Sequence, residues 1–327
     1  MQTLILTEDE IRSLLRIRDV MGVVEEAFRL YAECSMKDNN QVQMPPKVYL
    51  TFDDGDLRAM PALVGNYAGV KWVNSHPLNK EKRLPTVMAL LILNDPKTGF
   101  PLAVMDATYI TCVRTGAAGG IAAKYLARKD SNVFGFVGCG TQAYYQLEAL
   151  MEIFDVNNIL AYDINSSISQ KFIKHCSKLG IDAEVCECKR VCRCDVLTTT
   201  TPSTNPVVKN EWVNAGIHIN AIGADAPGKR ELDEKILLRA KIVVDDLRQA
   251  VHGGEVNFAI SNGILKVENI HATIGEVVAG IKPGRESDEE ITIFDSTGLA
   301  IQDIATASVV FEMARERRIG EHIRFFR

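Results

Sequence analysis

"VFGFVGCGTQAYYQLEAL", residues 133–150, reads as an apolar strand, a glycine turn and a helix in immediate succession. Gly138-Cys139-Gly140-Thr141-Gln142-Ala143 is a G-x-G-x-x-A pattern. Its glycines permit a tight turn and the close approach of a pyrophosphate, and the small Ala143 lets the helix pack on the strand. The helix N-terminus then offers amide donors to the phosphates. The next apolar run, "NILAYDI", ends in Asp163, which is placed to accept hydrogen bonds from a ribose 2′-hydroxyl and to repel a 2′-phosphate. The glycine pattern alone is a weak signal. With its strand, its helix and its acidic residue it reads as a dinucleotide site that prefers NAD to NADP.

Working outward, "DVLTTTT", "HINAIGA" and "KIVVDD" alternate with helical stretches, which predicts a parallel sheet covered by helices on both faces. Upstream the rhythm differs. Two helical patterns, about residues 8–17 and 20–34, and a polar loop precede "KVYLTF", "LRAMPALV", "GVKWVN", "VMALLILND" and "FPLAVMDA". Turn formers such as "DDGD" and "DPKTG" divide these strand-like runs. Thr7 and Glu10 fit a capping box opening the first helix. Near the end, "GLAIQDIATASVVFEMARERR" reads as one long amphipathic helix. A chain of 327 residues has room for two domains.

With 46% hydrophobic and 24% charged residues, the composition supports an ordinary globular core. The net charge of −5 and the absence of basic clusters interleaved with aromatics argue against a nucleic-acid partner. No apolar run reaches the roughly 20 residues that span a bilayer. "MQTLILTEDE" lacks a basic stretch followed by an apolar one, so no membrane contact and a cytoplasmic location are expected. Four of the eight cysteines, Cys186, Cys188, Cys192 and Cys194, lie in "CECKRVCRC". Structural zinc sites use C-x(2–4)-C spacing, and C-x-C in a strand sends its thiols to opposite faces. Free thiols and no metal are therefore expected.

"GVKWVNSHP", residues 69–77, sets Lys71 inside a strand between Val70 and Trp72. A strand lysine is ordinarily a solvated face residue, since alternate side chains point to opposite sides. The other reading is an ammonium held rigidly for chemistry, with burial lowering its pKa until it serves as acid and base near neutrality.

Together, "GVKWVNSHP", "RTGAAGG", "GCGTQA", "HINAIGADAPGKREL" and "ITIFDSTGLAIQD" resemble, in order, the blocks of the ornithine cyclodeaminase/μ-crystallin family, most closely its archaeal alanine dehydrogenase branch. The resemblance implies an α/β fold in which a Rossmann dinucleotide-binding domain is inserted into a mixed α/β substrate-binding and dimerisation domain. The expected boundaries are 1–116 with 303–327 for the outer domain and 117–302 for the NAD-binding one. It implies NAD as cofactor, a homodimer, and hydride chemistry on a small amino acid: NAD-dependent oxidative deamination of L-alanine to pyruvate and ammonia. Ornithine cyclodeamination to proline, ketimine reduction and a cofactor-bound role without turnover are the alternatives.

Residue by residue, Lys71 matches the family lysine that faces substrate and nicotinamide, and Asp225 the carboxylate that handles protons. Arg114 matches the arginine that reaches both cofactor phosphate and substrate carboxylate. Thr115, Gly138, Gly140, Thr141, Gln142, Asp163, Ile164, Asn165, Gly223, Ala224, Asp225, Lys229 and Ser296 fall in cofactor-contacting blocks. Each has an ordinary reading: Arg114 as a helix cap or ion pair, Asp225 as a turn residue ahead of Pro227, Lys229 as a solvated charge. Arg58, in "DLRAMPA", stands where the cyclodeaminases carry a glutamate, and Lys47 where they carry an arginine. Glutamate suits a substrate with a second amine, whereas arginine adds a donor fork for a carboxylate and repels that amine. Arg58, Lys47 and Arg114 are thus expected to bind a short anion such as pyruvate.

Overall fold

Alternating side chains sort the N-terminal runs into a buried and an exposed face. The computed structural model describes residues 2–37 and 40–327 and contains two compact units, Met1–Arg114 with Leu299–Arg327, and Thr115–Gly298. Asp38 and Asn39 of the expected polar loop lie outside the described residues.

The first unit contains β1 (Thr3–Leu6), helices α1 (Glu8–Leu14) and α2 (Ile17–Lys37), then β2 (Val42–Gln43), β3 (Val48–Phe52), β4 (Gly55–Val64), β5 (Tyr67–Ser75), β6 (Ala89–Asn94) and β7 (Pro101–Asp106). Thr7 N donates to Glu10 Oε2 at 2.8 Å, as the capping box requires. The strands run β1-β7-β6-β5-β4-β2, β3 also pairs with β4, and Glu321–Ile323 pairs with β1. Only β1 and β7 are parallel within this sheet. The register places Val48, Ala59, Trp72 and Leu90 in one row across β3, β4, β5 and β6. In that row Val48, Trp72 and Leu90 are exposed, whereas the neighbouring row of Met60, Lys71, Leu91 and Met105 is buried.

The C-terminal helix Ala300–Arg317 packs on β4, β5 and α2. Ala300–Ala307 are buried on every side, Gln302, Asp303 and Thr306 included, so the expected amphipathic stripe exists only in the second half. A helix with neighbours on both sides has no face to give to water.

In the second unit, α3 (Thr108–Leu126), which begins in the first unit, is followed by β8 (Val133–Val137), α4 (Thr141–Met151), β9 (Asn158–Tyr162), α5 (Ser166–Lys178) and β10 (Asp182–Val185). Then come β11 (Val196–Thr199), β12 (His218–Ala221), β13 (Lys241–Val244), β14 (Ile270–Thr273) and β15 (Thr292–Asp295). Every pairing among them is parallel, in the order β10-β9-β8-β11-β12-β15-β13-β14. The second strand of the unit lies on one side of β8 and the fourth on the other, the reversal beside which such sheets bind ligands. Gly116 and Gly119 of "RTGAAGG" let α3 and α4 touch: added Cβ atoms would meet Tyr145 O at 2.4 Å and Gln146 Oε1 at 1.9 Å.

One sequence expectation fails in its premise. Cys188 opens a helical turn, Cys188–Val191, so the opposite-faces argument for strand thiols does not apply to "CECKRVCRC". All eight cysteines are free, and no cluster of three or more His, Cys, Asp or Glu that could hold a metal occurs among the described residues. No described helix is long and apolar enough to cross a membrane.

Asp295, at the end of β15, is fully buried, and burial first and the Asp245 charge second push its carboxyl up to about 8. Its folded pKa thus exceeds the unfolded value near 3.9, so its contribution is fully present at acid pH and is lost as pH rises through about 8. Asp295→Asn, which cannot ionise, should gain melting temperature relative to wild type between pH 6 and pH 9; thermal scans of both proteins across that range check it.

Candidate functional site

Lys71 occupies the middle of β5 on the buried face, and its side chain is 1% exposed. The solvated-face reading is thereby excluded. Its Nζ donates to Asp303 Oδ1 at 2.8 Å and to Thr111 Oγ1 at 3.1 Å. Arg114 Nε donates to the same Asp303 Oδ1 at 3.0 Å, and its Nη1 to Gln302 Oε1 at 3.0 Å. Thr111 and Arg114 are three residues apart on α3 and so share a helix face. Gly69, two residues before Lys71 on the same face of β5, admits the C-terminal helix: a Cβ there would lie 2.9 Å from Ile304 Cδ1 and 2.4 Å from Ile92 O. The residue beside Ile304 is Asp303.

Burial lowers the Lys71 ammonium to about 7. Asp303 opposes that shift, whereas the charges of Arg114 and Lys47 add to it. The burial is complete, and the cations that press on Lys71 are Arg114 and Lys47, not Arg58. Arg58 is buried on the same sheet face, but its Nε and Nη2 engage Asp56 at 2.7 and 2.9 Å. The fork expected for a substrate carboxylate therefore already holds a carboxylate of its own strand. Lys47 is half-buried just before β3.

The second constellation lies at the carboxyl ends of the parallel strands. Gly138 follows β8 with φ +87°, and a Cβ there would stand 2.8 Å from Thr201 Cγ2. Gly140 caps α4, and nothing lies within 4 Å of where its Cβ would be, which leaves room for a phosphate above Thr141 and Gln142. Asp163 accepts from Cys139 N and Asn165 N, both at 2.9 Å, and so ties the end of β9 to the glycine turn. Ile164 is 95% exposed beside it, and Asn165 caps α5 through Ser167 N at 3.1 Å.

Gly223, Ala224, Asp225 and Lys229 form the loop after β12, where Lys229 Nζ meets Asp225 Oδ1 at 2.6 Å. Ser296 follows β15. Gln142 Oε1, Thr201 Oγ1 and Ser296 Oγ are buried with no hydrogen-bond partner among the described residues. Orphaned polar atoms beside a glycine cradle are what a polar cofactor would satisfy, so these residues fit a dinucleotide. Thr115, also buried, gives its carbonyl to Gln146 Nε2 at 2.9 Å.

Asp303, Gln302 and Thr111 were not singled out in the sequence. The signal was present: Gln302-Asp303 interrupts an otherwise small and apolar run, "GLAIQDIATA", and a polar pair there asks for buried partners.

The profile of the ornithine cyclodeaminase/mu-crystallin family matches residues 1–318. The chain is 65% identical to the alanine dehydrogenase of Archaeoglobus fulgidus over 327 residues, all of both chains. It superimposes on an archaeal alanine dehydrogenase dimer solved with bound NAD at TM-score 0.97, with 65% identity and full coverage of both chains. A Thermococcus litoralis Δ(1)-pyrroline-2-carboxylate reductase in complex with NADH and L-proline matches at TM-score 0.92 and 38% identity, covering 98% of this chain and 99% of that one. With its blocks in order along the whole length, the chain belongs to the ornithine cyclodeaminase/μ-crystallin family.

Proposed function

We propose that this chain is an NAD-dependent alanine dehydrogenase, oxidising L-alanine to pyruvate and ammonia and running in reverse at high ammonia. The observation that carries the chemistry is a fully buried strand lysine brought to about 7 and aimed at a shared carboxylate. The 65% identity to an alanine dehydrogenase over full length supplies the substrate. The unit Thr115–Gly298 holds the cofactor, and the unit Met1–Arg114 with Leu299–Arg327 binds substrate and dimerises. The eight free thiols suit a reducing compartment, and we assign the chain to the cytoplasm.

NAD, when bound, accepts the Cα hydrogen of alanine with its electron pair. Gly138, Gly140 and the first turn of α4 would hold its pyrophosphate, and Asp163 would receive its ribose. Arg114 orients the substrate carboxylate while anchored through Asp303 and Gln302. Neutral Lys71 removes a proton from the water that adds to the substrate iminium and passes it to the nitrogen, then takes the hydroxyl proton of the resulting carbinolamine as the C–N bond breaks, the carbonyl forms and ammonia leaves. Asp225 assists the same transfers. A lysine of ordinary pKa near 10.4 would be almost wholly protonated at neutral pH and a poor base; one near 7 serves in both directions.

A second copy of the chain is the partner we assign to the exposed apolar face of the first sheet, which includes Val48, Leu50, Phe52, Trp72, Leu90 and Ile92. Such a contiguous patch marks an interaction surface, and the archaeal alanine dehydrogenase of the same fold is a dimer.

Purified protein should form NADH from L-alanine and NAD, and no proline from ornithine. Lys71→Ala should lower kcat by about 10² or more, the scale of general acid-base groups, while NADH binding persists; near-wild-type turnover removes Lys71 from the chemistry. The acidic limb of the wild-type pH profile should titrate near 7 and follow Lys71. Asp303→Asn withdraws the anion that holds the ammonium up, so that limb should move to lower pH, as stopped-flow or steady-state rates at closely spaced pH would record. For the dimer, Leu90→Glu should halve the mass measured by light scattering, because a charge cannot be buried unpaired in an apolar contact.

A further inference from the structure

Two loops that follow neighbouring parallel strands, β11 and β12, meet on one buried carboxylate. Glu231 is 0% exposed. Its Oε2 accepts from Thr199 Oγ1 at 2.7 Å, at the end of β11, and from Gly223 N at 2.8 Å, just after β12. Its Oε1 accepts from Thr201 N at 2.5 Å. Thr200, between those donors, places its amide on Val137 O at 2.9 Å and its hydroxyl on Gly138 O at 2.8 Å, which carries the tie on to the glycine turn after β8.

Glu231 is fixed from behind. Its own amide and that of Leu232 donate to the Glu255 carboxyl group at 2.9 and 2.7 Å, and its carbonyl accepts from Val207 and Val208 at 2.7 and 3.0 Å. The loops it joins leave no space for anything else. A Cβ on Gly223 would stand 2.1 Å from Thr201 O and 2.7 Å from Glu231 Oε2.

A carboxylate facing three donors away from water makes charge-assisted hydrogen bonds, shorter and stronger than neutral ones. Losing it strands all three donors. Burial raises both Glu231 and Glu255, and Glu255 further because the Glu231 charge faces it. Glu231 is fully buried and its carboxylate is taken up by the loops, so its effect on the site runs through them.

We propose that Glu231 is a positioning residue of the cofactor site. It locks the loop bearing Gly223, Ala224 and Asp225 to the loops after β11 and β8, and so fixes Asp225 relative to the glycine turn. This rests on the dinucleotide reading above, and it adds a buried residue that acts through the loops it joins.

The test uses the full-length protein and NADH as the probe, with Glu231→Gln, Gly223→Ala and the double variant. Glu231→Gln should weaken NADH binding in a fluorescence titration by about tenfold or more and lower kcat with it, since stranded donors and a displaced loop both cost at this scale. KM for alanine, whose carboxylate belongs to residues of the other unit, should stay within about twofold. The double variant should be no worse than the weaker single one, because both release the same tie. A Glu231→Gln protein that melts lower yet binds NADH and turns over like wild type makes the residue merely structural and overturns the proposal.

If that variant does not fold, Thr199→Val, which removes one donor of three, decides: NADH affinity reduced about threefold supports the tie, and unchanged affinity overturns it. A wild type that binds no NADH overturns the cofactor reading and the proposal with it. Wild-type affinity retained by the variants overturns the proposal alone.

Discussion

One carboxylate oxygen, Asp303 Oδ1, holds two cations out of water, Lys71 at 2.8 Å and Arg114 at 3.0 Å. Removing ions from water costs several kcal/mol each, and a single anion cannot fully offset two buried positive charges. The cheapest relief is for the stronger acid to give up its proton, and that acid is the lysine ammonium, since a guanidinium does not deprotonate in proteins. The lowered Lys71 value is thus a consequence of one anion shared between two cations in a dry place. Gly69, the burial of Ala300–Ala307 on all sides and the Thr111–Arg114 face of α3 exist in the fold as conditions for that arrangement.

The parallel sheet solves a different problem, that of aiming several loops at one ligand. Strands β9, β8, β11, β12 and β15 lie in or next to one another's register with the same polarity, so every loop leaving a carboxyl end emerges on the same edge. Asp163, Gly138, Thr200, Gly223 and Ser296 occupy those exits in turn. Loops placed by a rigid scaffold still need to be tied to each other, and polar groups, partly or fully buried, supply the ties: Asp163 to Cys139, Thr200 to Gly138, Glu231 to Gly223. Each of these groups is fully or largely satisfied, as interior polar networks must be.

How far the sequence could be read follows from which signals are local. The β8 strand, its glycine turn and Asp163 are adjacent in sequence, and each carries its reason in its residue type; they fold as read. Val42–Gln43, Asp182–Val185 and Ile270–Thr273 are too short to show a period, and these three were missed, whereas Val196–Thr199, His218–Ala221 and Lys241–Val244, four residues each, were legible as apolar runs. The two-fold alternation in "GVKWVNSHP" marked Lys71 as odd, yet only its partner decides what an odd lysine does. That partner lies 232 residues away in a helix whose all-round burial no periodicity announces. Glu231 was quoted at the end of "GKREL" and passed over, because a glutamate beside charged neighbours reads as solvated until three backbone and hydroxyl donors are seen to converge on it.

Arg58 shows where a substitution-level argument changes once the neighbour is known. An arginine in place of glutamate was expected to repel a second substrate amine by its charge, but the two-point pair with Asp56 neutralises most of that charge at close range. Rejection of a diamine then falls to the groups already pressing on Lys71. An ammonium entering beside Arg114 and Lys47 would be a further buried cation sharing the Asp303 anion, and it would lose its hydration without gaining a counter-charge. The charge balance around Lys71 is therefore set by the Asp303 carboxylate that it shares with Arg114.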